Sequence, residues 1–178
     1  NGGDGLVVAR LLFNMKINVA VFLLEKQVDL KNDTAINAEL AFKLGVKITE
    51  LDKTNLHLLD DHLKNCDIIV DALFGTGLTR PISGLYKQTI EKINKSKKFI
   101  AAVDIPSGIN SDTGVLMGDC IRADLTLALA LFKHGHLLFP AAALMGELEL
   151  IDIEIPPELV ASQALEVQVT EESDLRTW

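Results

Sequence analysis

Two hydrophobic patterns alternate along the first 105 residues of the chain. Apolar residues at helical spacing predict four helices, at residues 4–14, 35–44, 56–63 and 85–94. Each helix is followed by a near-continuous apolar run, at residues 17–24, 46–51, 67–74 and 99–105, and such runs are typical of strands buried on both faces. This alternation predicts an α/β fold with a mostly parallel sheet.

The last third of the chain is rich in strand signals, with runs at residues 123–131 and 147–153 and little helical spacing. Residues 156–178 lose the pattern, and the polar stretch 170–174 is typical of a linker or the start of another unit. Two local signals mark the helix at residues 35–44: the triplet Asn32-Asp33-Thr34 predicts its cap, and Gly45 predicts its end.

Length and composition narrow the class of protein. A chain of 178 residues that is 48% hydrophobic is sufficient for one domain with a sizeable core, which excludes a disordered chain. Lys and Arg number 17 and Asp and Glu number 25, so the net charge is −8 and general nucleic-acid binding is not expected. No apolar run is long enough to predict a membrane span. Cys66 and Cys120 cannot make a disulfide framework, which indicates buried thiols in a reducing compartment.

Three glycine-containing loops are the candidate ligand-binding segments, because ligands of open α/β sheets bind beyond the carboxyl ends of the strands. Residues 1–5 read Asn-Gly-Gly-Asp-Gly and open a helix, whose free N–H groups favour anions. Residues 75–81 read Gly-Thr-Gly-Leu-Thr-Arg-Pro and follow an apolar run that contains Asp71. Residues 104–108 read Asp-Ile-Pro-Ser-Gly and again begin with a carboxylate at the end of an apolar run.

Each loop also has an ordinary structural interpretation, since glycine turns after strands are common and a lone aspartate often forms a turn or caps a helix. The dinucleotide fingerprint G-x-G-x-x-G is absent from the sequence. Burial of Asp71 and Asp104 would nevertheless be costly without a partner, which favours a metal ion or a catalytic proton role. His134 and His136 are a weaker metal candidate, and Lys133 beside them either reaches the same cleft or extends along the surface.

Together the three loops resemble the signatures of the NAD(P)H-hydrate epimerase family, also called the YjeF N-terminal domain. Residues 1–5 resemble the second half of the family motif G-x-x-N-N-G-G-D-G, and residues 70–78 and 103–108 match the other two signatures. The resemblance runs from Asn1 to about Pro156 and includes residues 133–140, where family members have a Lys-Pro-Gly-like turn. It implies a Rossmann-like three-layer α/β sandwich with a mostly parallel sheet.

The resemblance implies an isomerase of nicotinamide nucleotide repair, which interconverts the R and S forms of hydrated NADH and NADPH at C6 of the nicotinamide ring. It implies one potassium ion (K⁺), with Asn1, Asp71 and Ser107 as ligands. Proton transfer at C6 makes Asp104 the expected catalytic residue, with Lys133 as its partner. The residues expected to contact the substrate are Asn1, Gly2, Gly3, Asp4, Gly75, Thr76, Gly77, Leu78, Thr79, Arg80, Pro81 and Asp104.

The family pattern also divides the chain. Residues 1–157 are interpreted as the epimerase domain without the start of its first motif, and residues 158–178 as a linker or the start of a following unit. The expected partners are the hydrated dinucleotides NADHX and NADPHX, a fused or separate dehydratase and a second copy of the chain, with no nucleic acid and no membrane, in the cytoplasm. The alternative is a non-catalytic nucleotide- or protein-binding module of the same fold, against which the intact Asp71, Asp104 and Ser107 argue.

Overall fold

A computed structural model describes residues 2–163, 165 and 167–170 of the chain. The helices and strands of this part are α1 (Gly3–Asn14), β1 (Ala20–Leu23), α2 (Asn32–Leu44), β2 (Lys47–Glu50), α3 (Leu58–Asn65), β3 (Ile68–Asp71), α4 (Gly84–Lys95), β4 (Phe99–Val103), β5 (Leu125–Leu129), α5 (His134–Leu137), β6 (Glu147–Ile151) and α6 (Pro157–Ala161). Short 3₁₀ turns lie at Gln27–Asp29 and Ala141–Leu144.

Every pairing between these six strands is parallel, as predicted. The strands form two sheets, one of β1 and β2 and one in the order β3-β4-β5-β6. In the larger sheet Asp71 lies beside Ala102, and Val103 lies beside Leu127. The carboxyl ends of β3, β4 and β5 therefore meet at one edge, where the second and third glycine loops begin.

Helices cover both faces of the strands. Val21 of β1 packs into a cluster with Leu6 of α1 and Ala38 of α2. The next residue, Phe22, packs instead against a second cluster that includes Leu59 of α3 and Ile90 of α4. Because successive side chains of a strand point to opposite faces, these clusters lie on opposite sides of the sheet. The described chain is a three-layer α/β sandwich, which confirms the predicted fold class.

An apolar groove of about 250 Å³ separates the two sheets. Residues 20–24, which comprise β1 and Leu24, line it on one side, and residues 68–72, which comprise β3 and Ala72, line it on the other. Residues of α1, α3 and α4 complete its walls. Within the described residues the ladders of β1 and β3 are not joined to each other, so the single predicted sheet is divided at this groove.

Several predicted boundaries differ from the structure. The apolar run at 67–74 forms a strand only over Ile68–Asp71, because Leu73 and Phe74 pack against the core from a loop. The predicted cap of α2 is wrong: the helix begins at Asn32, and its N-terminus has no side-chain cap bond. The predicted end at Gly45 is confirmed, with φ of 94°.

The C-terminal region contains helical turns that the sequence pattern did not indicate. α5 and α6 are short, and α6 begins at Pro157 and extends into residues 158–178, which were interpreted as a linker or the start of another unit. Residues 164, 166 and 171–178 lie outside the described part, so most of the polar stretch at 170–174 does too. None of the described helices is both long and apolar enough to cross a membrane.

Candidate active site

Asp71 is the last residue of β3, and it is 1% exposed. The equally buried Ser107, in the loop after β4, donates from its hydroxyl to Asp71 Oδ1 and from its backbone N–H to Asp71 Oδ2, each at 2.7 Å. Desolvation by burial raises the pKa of Asp71, and the hydrogen bonds from Ser107 oppose that effect. Over the described residues no cationic side chain forms an ion pair with this carboxylate. Two of the three predicted ion ligands are thus in contact, while Asn1 lies outside the described residues.

Asp104 directly follows β4 in a left-handed backbone conformation, with φ of 66°, which is uncommon for a residue other than glycine. Its N–H donates to the carbonyl of Leu127 at 2.9 Å, and its Oδ1 accepts from the N–H of Leu129 at 3.1 Å. Lys133 Nζ donates to the same Oδ1 and, at 2.8 Å, to the carbonyl of Leu129. The Asp104 and Lys133 side chains are 17% and 23% exposed. The structure therefore brings the two predicted catalytic residues into a largely enclosed ion pair at the end of β5.

His136 lies against this ion pair and is 1% exposed. Its Nδ1 accepts from the N–H of Lys133 at 3.1 Å, so the proton of the neutral ring resides on Nε2, which donates to the carbonyl of Asp104 at 2.7 Å. Burial lowers the pKa of His136, which keeps the ring in this neutral form. His134 is exposed, and the described residues contain no group of three or more His, Cys, Asp or Glu side chains that could hold a metal. His136 is therefore a structural anchor of the Asp104–Lys133 pair.

Two adjoining clefts open at the carboxyl ends of the strands. The smaller, of about 90 Å³, is lined by Asp4, Ala72, Phe74, Gly75, Thr76, Val103 and Asp104. The larger, of about 980 Å³, is bounded by the start of α1, by residues of 22–34 and 72–80, and by Tyr86 of α4. Both clefts include Asp4, Ala72 and Phe74, so they form one continuous surface that runs from Asp104 past the second glycine loop.

Most of the predicted substrate contacts lie on this surface. Those on the larger cleft are Gly2, Gly3, Asp4, Gly77, Leu78, Thr79 and Arg80, and those on the smaller are Asp4, Gly75, Thr76 and Asp104. Of the predicted substrate-binding and catalytic residues that the structure describes, Pro81 and Lys133 line neither cleft, and neither do the predicted ion ligands Asp71 and Ser107. Lys133 contacts Asp104, which lines the smaller cleft.

Sequence reasoning missed the residues that brace the second glycine loop. Ser111 Oγ donates to the carbonyl of Thr76 at 3.2 Å, and Asn110 Nδ2 donates to the carbonyl of Leu78 at 3.3 Å. Phe74, just before the loop, donates its N–H to Ser107 Oγ at 2.9 Å. The available signal was the continued polar sequence beyond Gly108, where Asn110 and Ser111 stand. The third loop and the residues directly after it therefore hold the second glycine loop in position by hydrogen bonds.

The fold and the clefts define an α/β protein with its candidate site at the carboxyl ends of parallel strands. Residues 1–135 match the sequence profile of a family described as YjeF-related protein N-terminus. The chain therefore belongs to this family, which confirms the resemblance seen in its three loops.

Two relatives and one solved structure illustrate the similarity. The chain is 41% identical, over 96% of its length, to the bifunctional NAD(P)H-hydrate repair enzyme Nnr of Thermofilum pendens, and it spans 33% of that protein. It is 34% identical, over 85% of its length, to the NAD(P)H-hydrate epimerase of Limosilactobacillus fermentum, and it spans 69% of that one. The crystal structure of the yeast protein ynu0 matches 97% of the chain and is matched over 70% of its own length, with a TM-score of 0.74 and 24% identity, which shows the same fold.

Proposed function

We propose that the protein carrying this chain is an epimerase that interconverts the R and S forms of hydrated NADH and NADPH. The observation that carries the proposal is the Asp104–Lys133 pair at the end of a cleft with room for a dinucleotide. The relatives named as NAD(P)H-hydrate epimerase and as NAD(P)H-hydrate repair enzyme support it.

The chemistry requires a proton to move to and from the C6 hydroxyl. Protonation of this hydroxyl lets it leave as water, while the lone pair of the ring nitrogen forms a double bond to C6. Water then adds to the opposite face of the ring, and the proton returns to the protein, so atoms and charge balance. Asp104 relays this proton, since it lines the smaller cleft and Oδ1 alone is engaged by Lys133 and Leu129 in the described contacts. The Lys133 ammonium supplies the proton that passes through the Asp104 carboxylate to the leaving hydroxyl, and it takes a proton back when water adds.

The larger cleft fits the rest of the ligand. α1 begins at Gly3 beside it, and the unpaired N–H groups of a helix N-terminus favour a pyrophosphate. Arg80, on the second glycine loop, is a cation on the same surface. We therefore assign Gly2, Gly3 and residues 75–80 to binding and Asp104 to catalysis.

We also propose that Asp71, Ser107 and Asn1 hold a monovalent cation, K⁺. The described residues fit such an ion, because the Asp71 carboxylate is fully buried with no cationic partner among them and Ser107 adds a hydroxyl oxygen. The ion supplies positive charge at the strand ends when bound. Increasing KCl should raise the melting temperature of the full-length protein more than choline chloride at equal ionic strength, and Asp71→Asn should remove that difference. Equal responses to both salts would contradict the assignment.

The decisive test of the activity uses the full-length protein and purified (R)-NADHX, with formation of the S form followed by chromatography. We expect interconversion, and we expect Asp104→Asn to lower kcat by about 100-fold or more, the usual contribution of general acid–base catalysis. Asp119→Asn is the matched control, because Asp119 forms an ion pair with Lys87 at 3.1 Å and lines neither cleft. An Asp104→Asn protein with a normal kcat and a raised KM would move Asp104 to the binding residues.

The remaining proposals concern the division of the chain into units, a partner enzyme and the location in the cell. We infer that residues 1–157 act as the epimerase unit and that residues 158–178 lead into a further unit, in line with the longer bifunctional relatives. A dehydratase, fused or separate, would then act on the S form, and the cytoplasm is the expected location.

A further inference from the structure

Glu25 lines the larger cleft but not the smaller one that contains Asp104. If the nicotinamide end of a dinucleotide sits at Asp104, the molecule extends past the shared residues Asp4 and Phe74 into the larger cleft. Glu25 therefore faces the adenosine half of the ligand. Nothing in the proposed chemistry at C6 uses this carboxylate.

The Glu25 carboxylate is held in place by Tyr86 of α4. The Tyr86 hydroxyl donates to Glu25 Oε1 at 3.1 Å, and its ring packs against Phe74, with ring centres 4.7 Å apart. Burial, together with the charge of Glu25, raises the pKa of Tyr86 to about 12, so the hydroxyl keeps its proton and remains a donor at neutral pH. Oε2 accepts no hydrogen bond from the described residues, which leaves it available to a ligand.

The position of Glu25 on the fold is also informative. It follows β1, the first strand after the glycine turn at the start of α1. In dinucleotide-binding folds an acidic residue at such a strand end, about 20 residues after the glycine turn, accepts hydrogen bonds from the ribose 2′-hydroxyl. This chain lacks the usual glycine fingerprint but places a restrained carboxylate at the corresponding strand end.

We propose that Glu25 accepts hydrogen bonds from the adenosine ribose hydroxyls and thereby makes the site prefer NADHX over NADPHX. This inference rests on the proposed function, because it takes that dinucleotide as the ligand. In NADPHX a phosphate that carries about −1.5 to −2 charge at neutral pH stands in place of the ribose 2′-hydroxyl. The Glu25 carboxylate then loses a hydrogen-bond donor and repels the phosphate.

The charges around the larger cleft agree with this preference. Among the described residues, four carboxylates and two cations line it: Asp4, Glu25, Asp29 and Asp33 against Lys31 and Arg80. Arg80 belongs to the glycine loop assigned to the pyrophosphate, which leaves Lys31 as the other cation that a 2′-phosphate could meet among the described lining residues. The surplus of negative charge favours the ligand without that phosphate.

Binding of NADH and NADPH to the full-length protein, measured by calorimetry, tests the inference without turnover. We expect NADH to bind about tenfold or more tightly than NADPH, and Glu25→Gln to narrow the ratio to within about threefold, chiefly by tightening NADPH. Tyr86→Phe should narrow it partly, since Glu25 loses the donor that restrains it. Asp29→Asn is the matched control: it removes one charge from the same cleft at a side chain without a described hydrogen bond, so it should narrow the ratio much less than Glu25→Gln does.

The ratio of kcat/KM for NADHX to kcat/KM for NADPHX, measured in wild type and in the same variants, distinguishes failure of this inference from failure of the proposed function. Epimerisation with no preference between the two substrates, or a preference that Glu25→Gln leaves intact, overturns the role of Glu25 alone. A binding preference that depends on Glu25, in a protein that does not interconvert R and S forms, overturns the epimerase and keeps the ribose contact. A shift in Asp29→Asn equal to that in Glu25→Gln overturns a specific contact, and failure to bind NADH or NADPH together with no interconversion of NADHX overturns both proposals.

Discussion

Replacing His136 by Ala should destabilise the protein strongly. The ring accepts from the N–H of Lys133 and donates to the carbonyl of Asp104, and the site is closed to solvent. Removal leaves two backbone groups without partners, each at a cost of about 1–3 kcal/mol, and it also leaves a cavity. We expect the free energy of unfolding to fall by about 3–5 kcal/mol, a large part of the roughly 5–15 kcal/mol of a typical domain.

The effect has a defined pH dependence. The pKa of folded His136 lies below its ordinary value of 6.5, so the folded state binds fewer protons than the unfolded state as the pH falls through this region. Its contribution to stability is therefore complete above pH 6.5 and declines as the pH falls toward the folded pKa. The difference in unfolding free energy between wild type and His136→Ala should be largest near neutral pH and should narrow in mild acid.

Urea unfolding of the full-length protein, followed by circular dichroism across this pH range, measures the loss of unfolding free energy and its dependence on pH. An m value that is the same in wild type and variant checks that the two unfolding transitions can be compared. His134→Ala is the control, since His134 is exposed and lies two residues away on the same helix, and it should change stability by less than about 0.5 kcal/mol. If His136→Ala does not fold, His136→Gln, which keeps one amide donor, gives the same comparison. A loss below about 1 kcal/mol, or a loss independent of pH, would refute the anchoring role of the ring.

The other predictions concern close packing around the site and use the same unfolding assay. Ser107→Ala should lower the free energy of unfolding by about 2–4 kcal/mol, because it removes a hydrogen bond to the buried Asp71 carboxylate and leaves the N–H of Phe74 without its acceptor. Ser111→Ala is the comparison, since the hydrogen bonds of the Ser111 hydroxyl are 3.2 Å long. A loss for Ser107→Ala no larger than that for Ser111→Ala would contradict the prediction. Gly135→Ala should cost about 1–3 kcal/mol, since a Cβ there would lie 2.7 Å from the carbonyl oxygen of Asn110, whereas Gly2→Ala, with 3.7 Å of clearance from its nearest neighbour, should be nearly neutral.

Much of the fold could be predicted from the sequence because its elements have distinct periodicities. The spacing of apolar residues located the four long helices, and the continuous apolar runs indicated parallel strands. The same runs overstated strand length, since Leu73 and Phe74 are apolar for packing in a loop. The groove between β1 and β3 could not be predicted, because pairing between distant strands leaves no local pattern.

The site residues could be predicted where the local sequence alone marks them. Asp71 and Asp104 were found because a carboxylate at the end of an apolar strand is conspicuous, and Ser107 was placed by the family resemblance. The contact between Asp104 and Lys133 joins residues 29 apart in sequence, and it depends on β5 lying next to β4. The role of His136 depends on which ring nitrogen accepts a hydrogen bond and which carries the proton, and only the folded backbone fixes that choice.

One glycine in the first loop has a role that the sequence interpretation did not separate from ligand binding. Gly5 lies in α1 so close to Ala72 that a Cβ at its position would be 2.6 Å from the Ala72 methyl group. Ala72 directly follows the buried Asp71, and it lines both clefts. The small residue at position 5 thus lets the start of α1 lie against the end of β3, so that Asp4 and the second glycine loop form opposite walls of the same cleft. In this loop Gly5 serves packing, whereas Gly2 and Gly3 line the larger cleft, so one short motif contributes both to the packing of α1 on β3 and to the wall of the candidate site.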